Sequence, residues 1–339
     1  PVFAASNEAT NTFDISEGDI TILAGTATNT LKVTYGATPT TTSDFANSQA
    51  IIIIGTSTEH KVLVNLNNST DEANITLDNA DIQFATGNSC AFLIYTGTVN
   101  LTLVRTSTLK SSGSYAALQV QGDNAVTIGG SGTLNATGGL YDVTDGSDSG
   151  GAGIGGGLTG SGGYITINSG TVNAYGGYRA TGIGAWNETI VINNGDITAQ
   201  GGSNGAGIGG GRYSFSKKIE IKGGTVIATG GIFAAGIGGG YGGSGEIISI
   251  SSGDVTASGG SYAAGIGGGC YGSGGTVTIS GGSVKASGGN YDGAGIGPGY
   301  GGAAATTAIS SSAAVTASAN GISLAIEAVD SSLTVGSTA

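Results

Sequence analysis

The sequence predicts an all-β protein whose repeats stack into a single-stranded, three-sided parallel β-helix, also called a β-solenoid. The first observation is a recurring pentad, Ala/Thr-Gly-Ile-Gly-Gly/Ala, with a final variant ending in proline. The isoleucines of this pentad are 29, 25, 29, 29 and 30 residues apart, at Ile154, Ile183, Ile208, Ile237, Ile266 and Ile296. A constant period of about 20–50 residues is typical of repeat architectures. The second observation is period-two alternation in short segments, which indicates strands and not helices.

One repeat illustrates the three predicted strands. Ile219 and Ile221 share one face of the first strand. Val226 and Ala228 share one face of the second, and the pentad around Ile237 forms the third. These apolar faces become buried only when neighbouring turns stack at the strand spacing of ~4.8 Å. The usual crossover between parallel strands predicts a right-handed helix.

The pentad strand is unusual because its outward positions are glycines. Gly236, Gly238 and Gly240 alternate with the inward residues around Ile237. Since glycine is a poor strand former, neighbouring strands must hold this wall. Two interpretations stay open. The wall presents a bare backbone surface that another backbone or a flat ligand can approach, or glycine simply fits a tight, thin wall.

The regular repeat covers most of the chain. Residues 1–66 are predicted to be N-terminal strands that form a less regular β cap over the open end. Residues 67–320 form the β-helix repeats, and the glycine-rich series begins at about residue 126. Residues 321–339 are predicted to be a C-terminal strand or cap, because terminal repeats are atypical. No linker is evident, so these parts form one continuous domain.

Composition excludes several classes of protein. The chain has 69 Gly, 3 Pro, 9% charged residues and a net charge of −12. Glycine without a Gly-X-Y period excludes collagen, and 38% hydrophobic residues in alternating patterns exclude simple disorder. The acidic balance argues against nucleic acid or an anionic membrane as a partner. No segment approaches the ~18 consecutive apolar residues of a membrane span, so membrane insertion is not expected.

The N-terminal residues predict the location of the protein. The segment Pro1–Ser6 contains Phe3-Ala4-Ala5, which is similar to the end of a cleaved secretion signal. The chain also contains no methionine. We therefore expect the protein to be extracellular or displayed on a cell surface.

A family resemblance supports this location. Asn74–Ile82, Thr98–Val104 and Thr133–Gly139, followed by the Gly-Ala-Gly-Ile-Gly-Gly repeats, resemble the repeat regions of large secreted surface proteins of gut-type Gram-positive bacteria. Such regions are often described as adhesin-like or carbohydrate-binding. The resemblance covers roughly residues 74–320, and it implies a β-helix repeat without supplying any catalytic residue.

Aromatic residues border the pentads on both sides. Those before the pentad are Tyr178, Phe233, Tyr262 and Tyr291, and those after it are Trp186, Tyr213, Tyr241, Tyr271 and Tyr300. Stacked turns would convert them into two columns of rings that flank the glycine strip. Rings with polar tips suit sugar stacking or a protein interface. The alternative is that they shield the corners of the core.

Other candidate sites carry weaker signals. Asp142, Asp145 and Asp148 lie within seven residues and could bind Ca²⁺, but they do not match an EF-hand, and a solvated acidic loop is the preferred interpretation. We expect no other cofactor.

Asp196 and Asp254 share a turn position two repeats apart, ~9.6 Å by strand spacing, near the separation of an inverting glycosidase pair. Each also suits a turn, where aspartate bonds the local backbone.

The cysteines and the histidine do not supply a catalytic group. Cys90 and Cys270 are six repeats apart, ~29 Å by strand spacing, so no internal disulfide is expected. They are free, or they form bonds between molecules. His60 is the only histidine and has no evident Ser or Cys partner. We therefore do not expect an enzyme.

Three functions follow from these patterns. The first is a secreted structural or interaction protein, a β-helix subunit of an extracellular fibre, layer or adhesin stalk, whose partners are its own copies or other surface proteins. The second is a glycan-binding module that uses the aromatic columns beside the glycine-rich wall. The third is a polysaccharide lyase or hydrolase.

Overall fold

The chain folds as an all-β parallel solenoid of about nine turns between Glu72 and Ser318. The computed structural model describes residues 11–36, 38, 40–41, 44–140, 150–157, 163–214, 216–319, 326 and 334–335. Strands with the same place in successive turns pair in parallel, and together they form three ladders.

The ladders differ in strand length. The first ladder contains Thr12–Asp14, Ile51–Ser57, Glu72–Gln83, Thr98–Leu103, Ala125–Gly130, Tyr164–Ile167, Thr189–Ile192, Lys218–Ile221, Ile247–Ile250, Thr276–Ile279, Thr306–Ile309 and Thr334–Val335. The second contains Thr106–Lys110, Thr133–Thr137, Thr171–Tyr175, Asp196–Gln200, Thr225–Thr229, Asp254–Ser258, Ser283–Ser287 and Ala314–Ser318. The third contains Ile20–Ala24, Val62–Asn65, Phe92–Thr96, Leu118–Val120, Ile154–Gly155, Ile183–Gly184, Ile208–Gly209, Ile237–Gly238, Ile266–Gly267 and Ile296–Gly297.

The predicted inward and outward faces are confirmed. Ile219 pairs in register with Ile190 and Ile248, and Val226 pairs with Ile197 and Val255. These inward side chains are at most 2% exposed and form columns of Ile, Val and Ala inside the solenoid. Burial of these columns is the main stabilising contribution, at ~25 cal/mol for each Å² of apolar surface.

The N-terminal strands join the same stack. Ile51–Ser57 pairs in parallel with Glu72–Gln83, and Ile20–Ala24 pairs in parallel with Val62–Asn65. Antiparallel pairing occurs between Ile20–Ala24 and Thr30–Tyr35, which also pairs with Thr40–Thr41 and Phe45–Ala46. A short 3-10 helix, Ile15–Glu17, follows the first strand.

The C-terminal strand returns to the stack. Thr334–Val335 pairs in parallel with Ala308 and Ile309, so this predicted closing strand pairs within the chain. Ile326 forms an isolated parallel bridge with Ile296. Within the described ranges, no helix has the length and apolar character that a bilayer crossing requires.

Of the two interpretations of the pentad wall, the structure supports glycine fitting a tight, thin wall and contradicts a bare backbone surface. Each pentad strand is only two residues long, and Gly236, Gly238 and Gly240 are buried. An added Cβ on Gly236 would lie 2.6 Å from the Ser258 amide nitrogen, and one on Gly240 would lie 2.0 Å from the Gly211 carbonyl oxygen. Glycine is required because the backbones of neighbouring strands and links pack directly onto this wall.

Candidate binding site

Backbone hydrogen bonds bring the segments before and after the pentad together. In four consecutive turns, the fourth residue after the pentad isoleucine donates its N–H to a carbonyl oxygen of the segment that precedes the pentad of the previous turn. The pairs are Arg212 to Arg179 at 3.1 Å, Tyr241 to Asn204 at 3.0 Å, Cys270 to Phe233 at 2.9 Å and Tyr300 to Tyr262 at 2.9 Å. The two predicted columns of aromatic residues therefore lie next to each other.

Seven rings form one continuous cluster, which we call the aromatic cluster. Phe233, Tyr262 and Tyr291 stack nearly parallel, with centroids 5.3 and 4.7 Å apart. The edge-to-face contacts are Tyr213–Tyr241 at 5.4 Å, Phe233–Tyr241 at 5.7 Å, Tyr241–Tyr271 at 5.9 Å, Tyr262–Tyr300 at 6.1 Å and Tyr271–Tyr300 at 5.7 Å. Both geometries are favourable for aromatic pairs. The expectation that the columns flank an open strip is wrong, because the hydrogen-bonded links close over the glycines.

The tyrosines after the pentad alternate between two adjacent positions. Tyr241 and Tyr300 are the fourth residue after their isoleucine, whereas Tyr213 and Tyr271 are the fifth. Tyr213 and Tyr271 are 62% and 58% exposed, and their rings project farther into solvent than that of Tyr300, which is 40% exposed. Among the rings that follow the pentad, the two most exposed in the aromatic cluster are therefore two turns apart, ~9.6 Å at the strand spacing.

The alternation follows from how the rings fit the next turn. Tyr213 and Tyr271 have left-handed backbones, with φ of 55° and 62°, and the matching positions of the following turns are Gly242 and Gly301. An added Cβ on Gly242 would lie 2.7 Å from Tyr213 Cδ1, and one on Gly301 would lie 2.9 Å from Tyr271 Cδ1. Each ring thus covers a glycine of the next turn, and that position cannot also carry a side chain.

Cys270 occupies the position that Tyr241 and Tyr300 occupy in the adjacent turns. Its small side chain leaves a cleft of about 410 Å³ between their rings. The cleft is lined by Asn204, Arg212, Phe233, Tyr241, Tyr262, Cys270, Tyr271 and Tyr300. Burial raises the pKa of the Cys270 thiol. The pKa of the Tyr271 phenol is raised mainly by the charge of the neighbouring Cys270 and secondarily by partial burial. Both groups therefore stay protonated near neutral pH.

A second cleft lies where one link is short. The next first-ladder strand begins six positions after Ile183, at Thr189, whereas it begins ten positions after Ile208, at Lys218. This shorter link accounts for the 25-residue repeat, and it leaves a cleft of about 390 Å³ beside Trp186. The guanidinium of Arg212 lies over the Tyr213 ring at 4.6 Å and lines both clefts.

Sequence reasoning missed Glu188, which ends the short link. Its side chain is fully buried, and neither carboxyl oxygen has a hydrogen-bond partner among the described residues. Burial raises its pKa well above the ordinary value, because a charged carboxylate is costly in an apolar environment. The shortened repeat is the sequence signal that could have indicated the burial of Glu188, because a shorter link draws its last residue towards the core.

Comparison with known proteins identifies the repeat. Five consecutive segments match the family described as beta helix repeat. They are residues 165–185, 190–212, 219–241, 248–270 and 277–300. These segments include the turns on either side of Trp186 and most of the aromatic cluster. No curated protein and no solved structure matches the chain.

The other predicted site residues do not join the aromatic cluster. Tyr178 carries the guanidinium of Arg179 over its ring at 4.9 Å. Asp196 and Asp254 are exposed and lie two turns apart on the second ladder. Asp142, Asp145 and Asp148 lie outside the described residues, and the part of the chain that is described contains no group of three potential metal ligands. Cys90 and Cys270 are both buried and free, on different turns.

Proposed function

We propose that this chain is an extracellular or cell-surface binding module whose aromatic cluster binds glycans. In this proposal the three ladders form a three-sided, right-handed β-helix with an N-terminal cap, and the protein acts by binding, without catalysis. The single observation that supports the proposal is the aromatic cluster with its open cleft at Cys270. Tyrosine rings combine an apolar face with a hydroxyl group, which suits the mixed apolar and polar surface of a sugar.

The structure also changes the balance between the candidate functions. A bare glycine wall would favour assembly into a layer, because another backbone could approach it, but the glycines of this wall are buried. The aromatic rings, in contrast, remain accessible, with Tyr213, Tyr271 and Tyr291 each more than half exposed. Exposed aromatic groups of this extent mark interaction surfaces more often than they stabilise a core.

A glycan array tests the proposal directly. We expect the wild-type protein to bind specific glycans and Tyr271→Gly to lose that binding. Tyr164→Thr is the matched control, because Tyr164 is 49% exposed on the first ladder and pairs in register with Thr189. Absence of any bound glycan, or unchanged binding by Tyr271→Gly, would contradict the proposal.

A second candidate is the structural subunit of a fibre, layer or adhesin stalk. One observation favours it: the inward residues Val315 and Ala317 of the last second-ladder strand are partly exposed, whereas Val284 and Ala286 of the previous turn are 1% exposed. Among the described residues, no strand pairs with the outer edge of Ala314–Ser318. Such an edge can pair with another chain. Electron microscopy over a concentration series tests this, and dispersed single rods at every concentration would rule it out.

A further inference from the structure

We propose that the aromatic cluster binds an extended, uncharged, β-1,4-linked polysaccharide that lies along the solenoid axis, with Tyr213 and Tyr271 stacked on sugars two units apart. This inference rests on the proposed glycan-binding function and specifies the class of glycan and its orientation. The polysaccharide would cross successive turns in the direction in which the ladders are stacked.

The spacing of the exposed rings matches the repeat of an extended β-1,4-linked chain. Tyr213 and Tyr271 are two turns apart, ~9.6 Å at the strand spacing. In a β-1,4-linked pyranose chain each sugar is flipped relative to its neighbours, so the same sugar face recurs at every second unit. Two such units in an extended chain span a length comparable to two turns. An α-1,4-linked chain coils and does not repeat the same face at this interval.

A recessed ring and an open cleft accompany the two projecting rings. Between Tyr213 and Tyr271 the intermediate turn presents Tyr241, which is less exposed and forms edge-to-face contacts with both. Beyond it, Cys270 leaves the cleft between Tyr241 and Tyr300 open. In the column after the pentad a projecting ring therefore alternates with a recessed one, and the cleft lies beside Tyr271. This alternation suits a chain whose successive units present alternate faces.

The projecting rings occupy a position whose backbone conformation favours glycine. Tyr213 and Tyr271 have left-handed backbones, whereas the same column uses Gly242 and Gly301 in the alternate turns. Side chains in this conformation are strained, and strain of this kind is concentrated at functional sites. Burial does not compensate for the strain here, because both rings are more than half exposed.

Charge supports an uncharged ligand. The chain has a net charge of −12, yet Arg212 is the one charged side chain among the described residues that line the cleft at Cys270. The thiol of Cys270 and the phenol of Tyr271 have raised pKa values and are neutral near pH 7. The net charge of −12 disfavours an anionic polymer, and a cationic polymer would meet Arg212 without a carboxylate among the residues that line the cleft.

Calorimetric titration of the full chain with oligosaccharides of increasing length tests the proposed register. We expect the affinity for cello-oligosaccharides to rise about tenfold once the chain is long enough to reach both Tyr213 and Tyr271, because a second ring contributes. Malto-oligosaccharides of the same length, which are α-1,4-linked, should bind much more weakly.

The variants are chosen from the chain itself. Tyr213→Gly and Tyr271→Gly reproduce the residue that the alternate turns carry at this position, so both should fold, and each should abolish the length step. Tyr164→Thr should preserve it. Equal binding of cello- and malto-oligosaccharides, or affinity that does not depend on length, would overturn the axial register and leave glycan binding in place. Failure of both oligosaccharide series and of a glycan array would overturn the proposed function as well.

Discussion

A single methyl group added to the buried pentad strand should destabilise the solenoid strongly. In Gly238→Ala, the new Cβ would lie 2.0 Å from the carbonyl oxygen of Gly267 in the next turn. The backbone there has φ of +133°, a conformation that alanine rarely adopts. Gly238 also lies within the ladder, where two hydrogen bonds join its turn to that of Gly267: Gly239 donates to the Gly267 carbonyl at 2.9 Å and Ile237 donates to the Gly265 carbonyl at 3.0 Å.

The magnitude follows from these distances. The two turns must move apart by about 1.4 Å to bring the Cβ and the carbonyl oxygen to an ordinary contact of about 3.4 Å. That shift lengthens both ladder hydrogen bonds beyond useful range, at a cost of about 1 kcal/mol each. The unfavourable backbone conformation adds about 2 kcal/mol. We therefore expect the free energy of unfolding to fall by about 4 kcal/mol in total.

Gly122→Ala is the matched control. Gly122 also has a left-handed backbone, with φ of +58°, but an added Cβ would meet nothing within 4 Å. Only the conformational cost remains, about 1 kcal/mol. Urea unfolding followed by circular dichroism compares the two variants, and hydrogen exchange shows whether the loss is centred on the turns around Gly238. Equal stabilities for the two variants would refute the argument that close backbone contact explains the buried glycines.

Three further predictions concern the core and the clefts. Ile237→Ala should cost about 3 kcal/mol, because its side chain is fully buried between Ile208 and Ile266; a loss below about 1 kcal/mol in urea unfolding would contradict this. Glu188 has a raised pKa in the folded state, so its stabilising contribution is present below its unfolded-state pKa and is lost as pH rises through its folded-state pKa. Glu188→Gln should therefore flatten the fall of melting temperature with rising pH, and identical profiles for the two proteins would refute this assignment. Cys270→Tyr should fill the cleft and weaken glycan binding at least about tenfold, whereas Cys270→Ser should bind normally; a folded Cys270→Tyr with full affinity would show that the cleft is not used.

The sequence was sufficient to predict the ladders and their inward faces. Alternation places Ile219 and Ile221 on one face, and a constant period places each of them beside its equivalent in the next turn. Both inferences need only local geometry. Alternation alone could not choose between the two interpretations of Gly236 and Gly238, because the outer face of a strand is covered or exposed according to how the backbones of neighbouring turns pack on it. Glycine indicates close approach, but it does not identify the group that approaches.

The aromatic cluster was predictable in part. The spacing of Tyr241, Tyr271 and Tyr300 indicates that rings recur beside the pentads, and the pairs Tyr241-Gly242 and Cys270-Tyr271 already contain the alternation. Their contact with Phe233 depends on hydrogen bonds between consecutive turns, which the sequence does not encode locally. The cleft beside Trp186 arises because one link is shorter than the others. Its signal in the sequence is therefore a shorter interval between pentad isoleucines and not a motif.

The two-turn alternation has a consequence for how such a protein can change its length. Tandem duplication of one pair of turns would insert one more projecting tyrosine and one more recess, and the new interior would repeat ladders that already exist. The surface would lengthen by ~9.6 Å with its order preserved. Duplication of a single turn would instead shift every later tyrosine out of phase with those before it. Under the proposed polysaccharide binding, avidity would grow in steps of two turns, as further linked contacts are added.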